Sequence, residues 1–216
     1  STHCISSAAS DVYKRQSKKT LISYFIVSIV VTVIFSFLNP LMTCFMPMVF
    51  LLSPITDNIK HEKDSKWMYY VSVFPKGRNI YVNSYYVAFL SLILIGLLVG
   101  LIFTAIFTQN ISMILLSACI GIGAVGTYSI VFPLTFKFGS ENSNVILTTS
   151  SIILILSFFV VLYGLLMPNM MDSDSFATAI ATFHNVIVGI GYALFGLIIL
   201  AITYFLSMKT FKKQDL

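Results

Sequence analysis

"YYVAFLSLILIGLLVGLIFTAIFT" runs from Tyr85 to Thr108 without one charged residue. Its reading decides the fold. A bilayer-spanning helix needs about 20 consecutive apolar residues, and this run supplies them. It is continuous, whereas a membrane β-strand would alternate polar and apolar residues. A helix also satisfies its own backbone hydrogen bonds in lipid, where water cannot. The stretch is therefore read as a transmembrane helix.

Five further stretches fit beside it: Thr20–Leu38, Leu41–Ile55, Ile111–Phe136, Val145–Met167 and Val186–Met208. Leu41–Ile55 is short and carries proline. Only 10% of the chain is charged and 57% is hydrophobic. Soluble domains carry roughly 25% charged residues, so the composition as a whole points to an integral membrane protein. The expected fold is all-α, a single bundle of six transmembrane helices.

The basic residues give the orientation. Lys14, Arg15, Lys18 and Lys19 precede the first stretch. Lys60, Lys63, Lys66, Lys76 and Arg78 lie between the second and third. Lys137 follows the fourth, and Lys209, Lys212 and Lys213 follow the sixth. These are all 13 Lys and Arg residues in the chain. The other connections, near Asn39, near Gln109–Asn110 and from Pro168 to Asn185, have none, and the last carries Asp172 and Asp174. Lys and Arg collect on the cytoplasmic side, so both termini are expected there. This placement also accounts for the net charge of +5 without nucleic acid.

Pro40, Pro47 and Pro54 recur at intervals of one heptad. Pro47 is expected to kink the second span, because it lacks a backbone donor and crowds the preceding turn. The amino terminus, "STHCISSAASDVYKRQ", is polar and has no apolar signal-peptide core. "DVYKRQ", Asp11–Gln16, looks like the translation of a transposon end. Residues 1–16 are therefore set apart as a non-native or disordered segment, with the six-span body at 17–213 and a tail at 214–216.

Chemistry-bearing groups are sparse. The long spans have no charge in their interior, which weakens an ion-coupled carrier reading. Cys4, Cys44 and Cys119 share no metal-binding or disulfide spacing. His61, Glu62 and Asp64 crowd together, but not as HExxH, and a solvated helix face explains them. His184 with Asp172 and Asp174 is read as a polar loop. There is no GxxxxGK[ST] phosphate loop and no nucleophile–base set. No catalytic, metal or cofactor-binding residue is expected in this chain. Gly96 with Gly100, Ser117 with Gly121, Gly123 with Thr127, and Gly189 with Ala193 have helix-packing spacing. They are read as contacts within one bundle.

The connection from Asp57 to Ile80 is the most polar internal segment. Asp57 is placed as a helix cap. Trp67, Val71 and Phe74 lie on one helical face. Pro75 ends that helix, "PKGRN" makes a turn, and a new helix starts near Ile80. Such an amphipathic element can rest on lipid headgroups or dock with a soluble partner, and composition leans towards lipid.

Two segments resemble the type-2 ABC transporter permeases, the membrane-spanning subunits of ATP-binding cassette transporters. In "EKDSKWMYYVSVFPKGRNIYVNSYYVAFL" the matching residues are Glu62, Asp64, Trp67, Pro75, Lys76, Arg78 and Tyr86. In "FPLTFKFGSENS" they are Pro133, Phe136, Phe138, Gly139 and Glu141. An Arg that often follows in the family has no counterpart here, where Ser143 and Asn144 stand. The resemblance covers roughly 17–213. It implies that the loop at 57–80 couples the spans to a separate ATP-binding subunit, which supplies ATP and Mg. The docking residues would be Glu62, Lys63, Asp64, Trp67, Pro75, Lys76 and Arg78. It further implies a second permease chain, identical or related, in the plasma membrane of a bacterium. Segment 168–185 would be extracellular, and a peptide or amphipathic compound would be exported. An ion-coupled carrier or a non-transporting sensor or immunity protein remains the alternative.

Overall fold

The computed structural model describes residues 2–65, 77–166 and 183–213. Among these there is no strand. The helices are α1 (Thr2–Leu38), α2 (Phe45–Phe50), α3 (Ser53–Ser65), α4 (Gly77–Thr108), α5 (Ile111–Tyr128), α6 (Val131–Phe138), α7 (Ser143–Phe159) and α8 (Phe183–Lys213). Short 3-10 turns occupy Pro40–Met42 and Ser140–Asn142, and α7 continues as a π-helical stretch, Val160–Leu166. Together they form six apolar spans: Lys19–Leu38, Pro40–His61, Gly77–Thr108, Ile111–Phe138, Ser143–Leu166 and His184–Lys212. The chain is a multi-pass helical membrane protein. Residues 2–16 continue into the first span as one helix.

Two of the tight connections use the same device. Asn39 Oδ1 accepts a hydrogen bond from the Leu41 backbone at 3.1 Å, and Asn110 Oδ1 accepts one from the Ser112 backbone at 3.0 Å. Each asparagine occupies a backbone donor that the next helix leaves unpaired. Gln109, just before the second cap, takes a left-handed φ of 49° to reverse the chain in so few residues.

Span four sits at the centre, with span two inserted beside it, while spans one, three and six present broad apolar faces outwards. Leu98, Ile102, Phe205 and Leu206 on those faces are exposed. In a bilayer such faces meet acyl chains. Inside, glycines set the spacing. A methyl group built on Gly126 would lie 2.5 Å from the Gly196 carbonyl oxygen, and one on Gly196 would lie 2.6 Å from that of Gly123. Spans four and six therefore cross backbone to backbone. Gly96 and Gly100 face Met48 and Cys44: a methyl group built on either would lie 2.8 or 2.6 Å from the facing Cα atom. Packing within one bundle accounts for these small faces, as expected, although Gly126 and Gly196 were not among the pairs picked out by spacing.

The second span departs from the expected bend at Pro47. It is three helical pieces, Pro40–Met42, α2 and α3, and each carries a proline in its first turn. Pro40 begins the 3-10 turn, Pro47 is the third residue of α2, and Pro54 is the second of α3. In a first turn the missing N–H has no intrahelical acceptor to serve, so proline starts a helix there without bending one. The breaks fall between pieces, at Thr43–Cys44 and Leu51–Leu52. Span four repeats the arrangement: α5 ends, Ser129 and Ile130 make a turn, and Pro133 is the third residue of α6. Both spans are thus discontinuous, which the absence of internal charge did not foretell.

Candidate functional site

The loop between spans two and three is anchored by its two roots. Asp57 is an interior residue of α3, not its cap. The helix starts earlier, at Ser53, so Asp57 is free to reach sideways. Tyr24 of α1 donates its hydroxyl proton to Asp57 Oδ2 at 2.6 Å. Next to it, Asn58 Nδ2 donates to the Tyr85 hydroxyl of α4 at 3.0 Å. One root thereby grips spans one and three.

The other root is Arg78. "GRN" is the first turn of α4, so the predicted turn after Pro75 and restart near Ile80 give way to a helix from Gly77. The physical reason lies in α8. Arg78 Nη1 donates to the backbone oxygens of Phe211 at 3.2 Å and Lys212 at 3.0 Å. Its guanidinium lies 5.9 Å from the Phe211 ring centre. The last carbonyls of a helix lack intrahelical donors and carry the negative end of its dipole, so a cation there is stabilising. Arg78 caps span six with the beginning of span three.

Beneath these roots lies a block of rings. Tyr81, Tyr85 and Phe89 recur on one face of α4, and Phe132 and Phe136 on one face of α6. Tyr81 lies 5.5 Å from Phe211 and 5.9 Å from Phe136, and Phe136 lies 5.3 Å from Phe211. Tyr86 and Phe89 flank Phe132 at 4.7 and 5.1 Å. Aromatic pairs contribute about 0.5–1.5 kcal/mol each beyond their buried area, and their rings have few torsions to absorb a push. The block thus connects both roots to spans four and six through ring contacts. Of the α4 rings, the sequence motif singles out Tyr86 alone. The i, i+4, i+8 spacing from Tyr81 to Phe89 was the available signal for the others.

The second motif lies at the same end. Pro133 and Phe136 are buried, while Phe138 is half exposed, with Lys137 Nζ 5.1 Å from its ring centre. Gly139 closes α6 with φ 77° and ψ 163°, a region open essentially to glycine alone. Glu141 is exposed on the turn Ser140–Asn142, against which α3 packs. A shallow groove of about 390 Å³ beside it is lined by Leu134, Phe138, Asn142 and Ile146, among others. The structure therefore joins α3 to the segment after span four, two regions far apart in sequence.

Glu62, Lys63 and Asp64 occupy the end of α3. Trp67, Pro75 and Lys76, with the apolar face of Val71 and Phe74, lie outside the described residues, as does most of segment 168–185. Arg78 is half-buried and turned to span six, so its described contacts are within the chain. The arrangement suits mechanical transmission: a short loop whose roots hold spans one, three and six and rest on a shared aromatic block.

A family model described as "ABC-2 family transporter protein" matches residues 11–212. No curated protein and no solved structure matches the chain.

Proposed function

Because the chain belongs to the ABC-2 family of transporter proteins, we propose that it is the permease subunit of an ATP-binding cassette transporter, driven by ATP hydrolysed with Mg on a separate subunit. The observation that carries this reading is the anchoring of the loop roots. Tyr24–Asp57, Asn58–Tyr85 and Arg78–Phe211/Lys212 tie one loop to three spans. A cytoplasmic ATPase pressing on that loop would move the bundle as a set. The basic end is then the cytoplasmic face of a bacterial plasma membrane. The chain itself contributes no hydrolytic group. A second permease chain, identical or related, completes the transport unit. The cargo is a peptide or amphipathic compound, exported from the cell.

The test is co-purification of the chain with its ATP-binding subunit and measurement of substrate-stimulated ATPase activity. Trp67→Ala should weaken the association by contact loss. Arg78→Glu should weaken coupling, since it places a negative charge against the carbonyls of Phe211 and Lys212. Full association and coupling in both variants would sink the loop assignment.

The breaks in spans two and four favour one other reading, an ion-coupled carrier, because discontinuous helices often build midplane ion sites. The dihedrals weigh against it. Thr43, Cys44, Ser129 and Ile130 all keep right-handed helical φ and ψ. The carbonyls of Pro40, Gly126 and Thr127 accept backbone hydrogen bonds across the turns. Uptake into liposomes driven by an ion gradient, with no ATPase added, would reverse this preference.

A further inference from the structure

At the upper break of span two, the helical ladder is replaced by one side chain from span four. Ser117 Oγ accepts a hydrogen bond from the Cys44 backbone N–H and donates one to the Leu41 carbonyl, both at 3.2 Å. It thus spans the break, serving one backbone group on each side. Ser117 and Cys44 are fully buried, and Thr104 Oγ1 of α4 lies 3.7 Å from Cys44 Sγ. The neighbouring piece α2 is seated on glycine. Gly96, Gly100 and Gly121 bring the backbones of spans three and four against Met48 and Cys44.

Thr43, in the same break, has the opposite status. Its side chain is fully buried, yet Oγ1 has no hydrogen-bond partner among the described residues. Buried hydroxyls are nearly always paired, and leaving one unpaired is costly. The observed arrangement thus combines a satisfied bridge with an unsatisfied hydroxyl one residue away. Such a break has a reason to exist in a second form, in which the Ser117 bridge opens and Thr43 finds a partner.

We propose that the Thr43–Cys44 break is a two-state latch, held shut by Ser117, through which movement of the loop root reaches the opposite end of the bundle. The path is covalent. Asp57 and Asn58 stand on α3, α3 joins α2 through the Leu51–Leu52 turn, and the first residue of α2, Phe45, directly follows Cys44. Ser117 is a positioning residue in this scheme. That an ATPase supplies the movement rests on the proposed function, but the latch itself does not.

Cys44 is the natural reporter, because its buried thiol becomes reachable when the break opens. The full chain is placed in lipid bilayers with Cys4→Ser and Cys119→Ser, and reaction of Cys44 with N-ethylmaleimide is followed by mass spectrometry. Ser117→Ala should speed the reaction roughly tenfold, since two hydrogen bonds that hold the shut form are lost. Thr43→Val, nearly isosteric, should slow it roughly threefold by removing the unpaired hydroxyl from the shut form. Tyr24→Phe, whose tether is about 20 Å away along the helix, should speed it several-fold. Unchanged labelling in Ser117→Ala, or faster labelling in Thr43→Val, overturns the latch. Unchanged labelling in Tyr24→Phe overturns transmission from the loop root. If Ser117→Ala fails to reach the membrane, Thr43→Val decides. No ATPase is present, so failure to bind an ATPase would count against the proposed function alone.

Discussion

At the scale of single residues, the glycines divide sharply by what surrounds them. Gly126 and Gly196 meet backbone to backbone, so a side chain at either must push two spans apart. Gly126→Val is expected to lower stability by at least about 2 kcal/mol, as overpacking of rigid contacts does. Gly191, on the same helix as Gly196, is the contrast: a methyl group added there would meet nothing within 4 Å. Gly191→Ala should not lower the thermal midpoint in detergent, since alanine fits the open space and favours the helix. Gly139 is a third case: a methyl there also meets nothing within 4 Å, yet φ is 77°. Gly139→Ala should still cost about 1–3 kcal/mol, from backbone strain alone. Spacing singled out glycines in spans three, four and six, but could not rank them. Whether a glycine faces lipid or a carbonyl oxygen depends on the rotation of its helix, which a nearly all-apolar span does not encode.

At the scale of elements, the second span and the first turn of α4 show how neighbours settle what propensity leaves open. Three prolines one heptad apart read as one bent helix, and the structure gives three pieces, each with a proline in its first turn. The sequence held the needed rule, since proline favours a first turn, but the neighbours decided where turns could be. Ser117 makes the upper break tolerable only because span four delivers it to that depth. Arg78 is the parallel case. Its role as a cap depends on the end of α8, more than a hundred residues away in sequence. Arg78→Ala is therefore expected to fray the last turn of α8. In a bilayer-embedded sample, trypsin should then cut after Lys209 and Lys212 several-fold faster, while Arg78→Lys should give an intermediate rate.

At the scale of the whole molecule, the apolar outer faces make the bilayer part of the structure. Ile80 and Leu98 lie on the same helix and are similarly exposed, at 64% and 59%. Water would treat them alike. In a bilayer, Leu98→Lys near the middle of span three should cost about 2.5–3.5 kcal/mol of insertion, and Ile80→Lys near the basic end far less, because its amine can reach the interface. A membrane-insertion assay that gave equal penalties would contradict this placement. Six spans were legible in the sequence because each is a long apolar run, and lipid obliges such runs to be helical. The gathering of basic residues at one end was legible for the same reason, since spans fix which connections share a side. Two loose motifs also pointed to the transporter family that residues 11–212 match. Only the tertiary structure decided that spans two and four are broken, that rings from α4, α6 and α8 form one block, and that the loop roots hold three spans. Hydropathy records a residue's preference for lipid or water. It carries no record of which of two equally apolar faces meets a neighbour, and that choice is made by packing.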